Sequence, residues 1–212
     1  MSNTISDRIK DAVKAAGLAP LGGEAISHLS DYISLILRWN TRVNLTAIRD
    51  EDGIISRHII EAIEVIYGLP RGVSTLLDFG SGAGLPGIPI AICRPDIIVT
   101  LAESQNKKAA FLMEAVRVLG LNAKVHSGRA EELRSQFDCV TLRAVEKMAT
   151  AVRSAAGLVA RDGWLALMTT AADADQLKAV AGAEFVWKEP ASLVGSVSRV
   201  LVLGSRVPEG QP

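Results

Sequence analysis

Three features predict an α/β fold with a mostly parallel sheet, helices on both faces and an N-terminal helical cap. From Val73 onward, short apolar runs alternate with helix-compatible stretches, the grammar of a parallel sheet covered on both sides. Before Val73 the apolar residues recur at steps of three and four, as on amphipathic helices. At the junction, Leu76-Leu77-Asp78-Phe79 runs into Gly80-Ser81-Gly82-Ala83-Gly84-Leu85-Pro86-Gly87, where glycines are too dense for a helix interior. Ile88-Pro89-Ile90-Ala91-Ile92 then resumes a helical pattern, so the junction reads as strand, glycine turn and helix start.

In chain order, Ile5, Ile9 and Val13 predict a short helix ending at Gly17, with Pro20 as a stop. A second helix is expected from about Glu24 to Arg42, and Trp39 to Thr46 reads as its end and a loop. A third runs from about Asp52 to Tyr67 on the stripe Ile54, Ile55, His58, Ile59, Ala62, Ile63 and Ile66. Seven strands are expected: Ser74–Phe79, Ile97–Glu103, Ala123–His126, Cys139–Leu142, Trp164–Met168, Ala183–Val186 and Arg199–Leu203. Helices between them are expected at Pro86–Cys93, Asn106–Leu119, Ala130–Ser135, Met148–Ala160 and Asp173–Val180. The division is therefore a helical cap over residues 1–70, a nucleotide-binding domain over 71–207 and a disordered tail over 208–212.

Composition narrows the function classes. The 212 residues are 49% hydrophobic, enough for a large core and against global disorder. The apolar runs are short and broken by charges, so no membrane span is expected. The first seven residues lack a basic start followed by an apolar stretch, so no secretory leader is expected. Cys93 and Cys139 are isolated in apolar surroundings and read as core residues of a reduced, cytoplasmic protein. No metal-ligand spacing of Cys and His is present. Net charge is zero, so any nucleic-acid contact must rest on local positive charge.

The glycines indicate the ligand. Gly80, Gly82 and Gly84 form G-x-G-x-G, and Leu85 stands where the dinucleotide fingerprint needs its third glycine. That favours S-adenosylmethionine over NAD, because this ligand has no pyrophosphate to seat on a helix end. Asp78 either orders the turn or reaches the amino group of a methionine moiety through water. Glu103 ends the second strand about twenty residues on, placed for two ribose hydroxyls. After the third strand, the Ala130 backbone or Glu131 suits the adenine edge and Arg129 its flank; Glu131 and Glu132 also read as acids of a helix N-terminus. Arg143 arrives at the same sheet edge, where it grips a phosphate of an RNA substrate or pairs with a surface acid.

Two absences limit the chemistry. The fourth strand is followed by Ala144-Val145, with no Asn/Asp-Pro-Pro-aromatic motif for an exocyclic amine. Nor is a cysteine placed there to attack a pyrimidine. What remains includes attack by a nucleophile that needs little activation. Basic residues recur near the expected mouth: Arg38, Arg42, Arg49, Arg57, Lys107, Lys108 and Lys147. Arg38, Trp39 and Arg42 suit backbone contacts and base stacking, although each alone also fits an ordinary surface position. His58 lies on an apolar stripe, where a core histidine is the competing reading.

With these residues the chain resembles the bacterial small-subunit ribosomal RNA guanine-N7 methyltransferases, the glucose-inhibited division protein B (methyltransferase G) family. The resemblance rests on Arg38-Trp39-Asn40, Asn44-Leu45-Thr46, Arg57-His58, Asp78 to Pro89, Glu103-Ser104 to Phe111-Leu112, Arg129 to Glu132 and Leu142-Arg143-Ala144. It covers nearly the whole chain. It implies a class I, Rossmann-like fold and methyl transfer from S-adenosylmethionine to N7 of one guanine in the 530 loop of 16S rRNA. On the matching positions it implies cofactor contacts from Asp78, Gly80, Gly82, Gly84, Leu85, Glu103, Ala130, Glu131 and Arg143. It implies substrate positioning by Asn44, Arg57, His58 and Arg143, and RNA contacts from Arg38, Trp39, Arg42, Lys107 and Arg129. The partner implied is 16S rRNA or the small subunit, for a cytoplasmic, monomeric enzyme without metal. The chain departs from the family at Ala83, where proline is usual, and at Met168-Thr169, where Lys-Gly is usual; the second removes a positive charge near the substrate side. Two alternatives stay open: a methyltransferase for another RNA base or a small molecule, and a non-methylating ribosome-assembly factor that binds RNA.

Overall fold

A computed structural model of the chain describes residues 4–196 and 198–207. The expected disordered tail lies outside them. The leader is helical: α1 (Ile5–Ala15), α2 (Gly23–Asn40), α3 (Glu51–Ile54), a π-helical turn (Ile55–Ile59) and α4 (Ile60–Gly68). The Thr4 and Asp50 side chains cap α1 and α3, and Arg8 of α1 bonds both Glu51 and Asp52 of α3. The expected third helix thus contains a π turn, one extra residue that a count of apolar steps does not register.

The rest alternates β1 (Thr75–Phe79), α5 (Gly87–Cys93), β2 (Ile98–Ala102), α6 (Asn106–Val118), β3 (Ala123–His126), β4 (Phe137–Arg143), α7 (Met148–Ala156), β5 (Val159–Thr170) and α8 (Ala171–Ala181). It closes with β6 (Phe185–Trp187), β7 (Ala191–Ser192) and β8 (Arg199–Arg206). The sheet order is β3-β2-β1-β4-β5-β8-β6, with β7 paired to β8. β1 to β5 pair in parallel, and β8 runs antiparallel to β5, β6 and β7. Among the described residues there are eight strands, one more than expected; the addition is the two-residue β7. The strand order reverses between β1 and β4, which opens a crevice beyond their carboxyl ends, where such sheets bind ligands.

Other boundaries differ from the sequence reading; among them, β5 starts at Val159 and β8 runs on to Arg206. The helix expected at Ala130–Ser135 is a single 3-10 turn at Ala130–Glu132. The helix expected to reach Ala160 stops at Ala156, and Val159 already pairs with Phe137. A short apolar run such as Leu158-Val159-Ala160 fits helix and strand alike. β6 is also shifted, to Phe185–Trp187.

Strand alternation sorts the core into two faces. Leu76, Leu101, Cys139, Met168 and Leu201 pack against the helical leader, α5 and α6. Leu77, Val140, Leu142, Leu167 and Val202 pack against α7 and α8. Asp78, Thr141, Arg143 and Arg199 share the alternation of the first set, so they face the leader. The large buried apolar residues of α1, α2 and α4 belong to the same hydrophobic cluster as that face of the sheet. Among the described residues, no helix is long and apolar enough to cross a membrane.

Candidate functional site

The three glycines of the turn all have positive φ, at 71°, 58° and 86°, but they serve different ends. A Cβ on Gly82 would meet only the Gly80 carbonyl oxygen, at 3.9 Å, so its backbone is free for a ligand to approach. A Cβ on Gly84 would fall 2.6 Å from Ile88 and 3.0 Å from Leu112; Gly84 is buried packing between turn and helix. Asp78 is 1% exposed. It accepts bonds from the Gly87 N–H (3.2 Å) and the Thr141 hydroxyl (2.9 Å). Burial pushes its carboxyl up to about 6, against the pull of those bonds. Of its two expected roles, the geometry matches the first, ordering the turn. The Tyr32 hydroxyl donates to the Ala83 carbonyl, which ties α2 to the same turn.

Two adjoining cavities open along the crevice. The smaller, about 290 Å³, is lined by Gly80, Ser104, Ala130, Glu131, Lys147 and the exposed Arg129. The larger, about 500 Å³, is lined by Thr46, His58, Gly82, Glu103, Arg143 and Arg199, with Leu85 in its wall. Gly80, Ser104, Val145 and Glu146 line both. Between them Glu103 accepts the Gly82 N–H (2.9 Å) and the Gln105 N–H (2.7 Å). A carboxylate has about four acceptor positions, so two remain for hydroxyl groups.

The floor of the larger cavity is a buried polar chain. Glu61, 2% exposed, accepts from Arg143 Nη2 (2.8 Å) on one oxygen and Arg199 Nη1 (3.0 Å) on the other. Arg143 Nη2 also reaches the Arg57 carbonyl and His58 Nδ1, each at 2.9 Å. His58 Nδ1 also lies 3.1 Å from the Arg57 carbonyl, so Arg143 and that carbonyl share one edge of the imidazole. On the other edge, Nε2 and Thr46 Oγ1 are hydrogen-bonded at 2.8 Å. Burial, reinforced by the Arg143 charge, lowers the His58 imidazole to about 4, so it is neutral at pH 7.

The linkage has a definite sign. Between about 4 and 6.5 the unfolded chain binds a proton at His58 that the folded chain refuses, so this group makes stability rise with pH and lowers it on acidification. Going from pH 7 to about pH 4.5 is expected to cost roughly 2 kcal/mol at this site. Asp78 acts in the opposite sense, because its folded carboxyl holds a proton up to about 6. The difference between wild type and His58→Gln in urea unfolding across that range isolates the histidine. Equal pH slopes in the two proteins would refute the assignment.

The remaining sequence-derived positions separate. Arg57 joins the chain through its carbonyl, while its residue is exposed. Asn44 is exposed, accepts from Arg49 Nη2 (3.3 Å) and lines neither cavity. Its neighbour Asn40 is buried instead. It donates to the carbonyls of Thr46 and Ile48 and accepts from the N–H groups of Leu45 and Thr46, so the loop carrying Thr46 is fastened to the end of α2. Arg38, Trp39, Arg42 and Lys107 come together around a separate groove of about 620 Å³, with Arg38 paired to Glu114 (2.8 Å). Arg129 lies away from this group, at the smaller cavity. Met168 is 3% exposed, in register with Arg143 and inside the apolar cluster on the face of the sheet that packs against the leader.

Glu61 and Arg199 carry the cavity floor without having been singled out in the sequence, and Thr46 was noticed only within Asn44-Leu45-Thr46. Glu61 had a signal, a lone carboxylate within Ile59-Ile60-Glu61-Ala62-Ile63. Arg199 had none.

The parallel strands, the reversal at β1 and β4, and the glycine turn joined to Glu103 define a Rossmann-like methyltransferase fold. A methyltransferase from Pyrococcus furiosus shares it with a TM-score of 0.62 at 14% identity, over 84% of this chain and all of that one. More narrowly, the chain belongs to the GidB family, rRNA small subunit methyltransferase G, whose family model matches residues 25–200. It is 41% identical over 164 residues to ribosomal RNA small subunit methyltransferase G of Neisseria meningitidis serogroup A, covering 76% of this chain and 78% of the relative. The protein of that name from Methylobacillus flagellatus is 38% identical over 167 residues, covering 77% and 80%. Family and fold imply S-adenosylmethionine as methyl donor, and the residues fit it. The approach at Gly82 is open, Glu103 retains acceptor capacity and the smaller cavity reaches Ala130 and Glu131.

Proposed function

We propose that this protein methylates N7 of a single guanine in the 530 loop of 16S rRNA, with S-adenosylmethionine as donor. The observation that carries the reading is what the larger cavity withholds. His58, the imidazole on its wall, has both ring nitrogens engaged. Neither Cys93 nor Cys139 lines either cavity. The chain therefore offers neither an imidazole base nor a thiol nucleophile there, and N7 of guanine needs neither. Its lone pair lies in the ring plane and it carries no proton to remove.

Bound S-adenosylmethionine supplies the electrophilic methyl group. The chain's own task is alignment, with reacting atoms about 3–3.5 Å apart. In this reading Gly80, Gly82, Leu85, Glu103, Ala130 and Glu131 hold the donor, with Asp78 and Gly84 shaping the turn. Arg143, whose protein contacts all fall on Nη2, keeps Nε–H and Nη1–H₂ for the substrate or the donor's carboxylate. His58, Arg57 and Asn44 position the substrate. Arg38, Trp39, Arg42 and Lys107 hold neighbouring RNA, with Arg129 on the far side. Residues 1–70 form the substrate-side cap and residues 71–207 the donor-binding part of a cytoplasmic enzyme.

The test is methyl transfer from labelled S-adenosylmethionine to 16S rRNA lacking the modification, bare and in purified subunits, with N7-methylguanine mapped by reduction and chain scission. One site in the 530 loop is expected, with a rate nearly flat between about pH 6.5 and 8 because no catalytic base titrates there. Label at another base would discard the specificity and keep the fold. Tight donor binding without label would favour the assembly-factor reading.

A further inference from the structure

We infer that the groove around Trp39 is the subsite for one nucleotide adjoining the target guanine, with the phosphodiester between the two held by Lys107 and Lys108. This assignment rests on the proposed function and deepens it. The groove and the larger cavity are neighbours, because the same two chain segments build both. On one segment Val43 lines the groove, while Leu45 and Thr46 line the cavity. On the other, Lys107 lines the groove and Lys108 the cavity. Val43 and Leu45 are two residues apart, about 7 Å at full extension, and Lys107 and Lys108 are consecutive. The exposed Asn44 alone separates the two spaces on the first segment, and nothing separates them on the second. A single link of an RNA backbone crosses so narrow a ridge.

The chemistry of the groove selects a base and its phosphate. Arg38, Arg42 and Lys107 stand there against one acid, Glu114, in a chain with no net charge overall. Glu114 takes Arg38 (2.8 Å), so Arg42 and Lys107, which form no ion pair among the described residues, carry the free positive charge. Lys108 is half-buried and likewise pairs with no acid among the described residues. Trp39 is half-buried, and its ring packs edge-to-face on buried Phe111 with centroids 5.7 Å apart. An indole held in this way and still open on the groove can stack any of the four bases. The need for such a platform arises at this place. Guanine must leave its stack to bring N7 to the methyl group, and its neighbour then loses a stacking partner. Trp39 supplies a replacement one link away, which offsets part of the cost of unstacking.

The test combines changes in protein and RNA. Wild type and Trp39→Leu are assayed for methyl transfer to 16S rRNA that lacks the modification and is either intact or abasic immediately 5′ or 3′ of the target guanine. One of the two abasic RNAs is expected to cost the wild type about tenfold or more in kcat/KM, the scale of one base stacked on an aromatic ring. Trp39→Leu should lose a similar factor on intact RNA and nothing further on that abasic RNA. Binding of intact RNA is then measured against salt. Removing both cations by Lys107→Gln with Lys108→Gln should lower the slope of log K against log salt by about 0.7, the value for one phosphate of a single strand. A fall of about 1.4, for two phosphates, would overturn the shared link. A wild type indifferent to both abasic RNAs, equal losses at both flanks, or losses that multiply in Trp39→Leu would overturn the subsite. So would weaker S-adenosylmethionine binding by Lys108→Gln, which would assign that lysine to the donor's carboxylate. Failure of the wild type to label guanine N7 in intact RNA would sink the proposed function itself, a result separate from any of these. Thermal melts exclude a folding defect in the variants, and the wild-type comparison on abasic RNA stands without them.

Discussion

Replacing Glu61 with alanine is expected to destabilise the protein by about 3–5 kcal/mol and to remove methyl transfer, because it strips the counter-charge from two guanidiniums at once. Arg143 bears most of the cost. Its side chain is 5% exposed, against 23% for Arg199, which can turn toward water. The desolvation penalty of a buried cation persists when its carboxylate is removed, so the loss exceeds the net worth of the pair. Activity falls by a separate route. Arg143 loses the bond that orients Nη2 toward His58, and with it the order of the cavity floor. Urea unfolding measures the first effect and single-turnover methyl transfer the second. The paired change Glu61→Leu with Arg143→Leu separates them. Buried ion pairs are often replaced by apolar groups at little cost, so this variant should regain most of the stability and none of the activity. A Glu61→Ala protein within about 1 kcal/mol of wild type would show that the pair is solvated and the argument mistaken.

How much of this was legible beforehand depends on how far apart the cooperating residues lie in the chain. The glycine turn and Glu103 are joined through a contact spanning 21 positions, within one strand–helix–strand unit whose grammar is local. The alternation of strands and helices was legible for the same reason. The Glu61–Arg143 and Glu61–Arg199 contacts span 82 and 138 positions, and no local pattern reports them. Arg143 was visible as a cation at the sheet edge, but its internal duty toward Glu61, His58 and the Arg57 carbonyl was not. Gly84 read as a ligand glycine because spacing alone does not tell which glycine faces the ligand and which lets a helix pack. The π turn stayed hidden because an inserted residue leaves an all-apolar helix looking regular. Trp39-Asn40 and Asn44-Leu45-Thr46 were noticed through resemblance; the division of labour, with Asn40 rather than Asn44 fastening the loop, needed coordinates.

Removing residues 1–45 should unfold the protein rather than uncap it. In a small-molecule methyltransferase with a detachable cap, the truncated chain would stay folded and active. The packing opposes that outcome. Ile9, Val13, Ile26, Leu29, Tyr32, Ile33, Leu35 and Ile36 are buried in one cluster with Leu76, Ile88, Leu101 and Leu112. At about 1.5–3 kcal/mol per large apolar side chain, deleting eight of them removes gross burial of at least about 12 kcal/mol. That matches the whole net stability of an ordinary domain, about 5–15 kcal/mol. The entropy no longer spent on ordering the leader offsets part of this, but the newly exposed faces of α4, α5 and the sheet remain. The Tyr32 bond to the Ala83 carbonyl goes as well, loosening the glycine turn where the donor binds. The expected result is a chain without a cooperative thermal transition and without S-adenosylmethionine binding. A cooperative melt close to that of wild type would mean that the sheet holds its own core, and methyl transfer by that fragment to a small acceptor would move the reading away from RNA. The packing favours unfolding because the helices that complete the core lead directly into the loop, π turn and helix that carry Thr46, His58 and Glu61. Stability and substrate recognition are then built from the same segment, and selection on either constrains both.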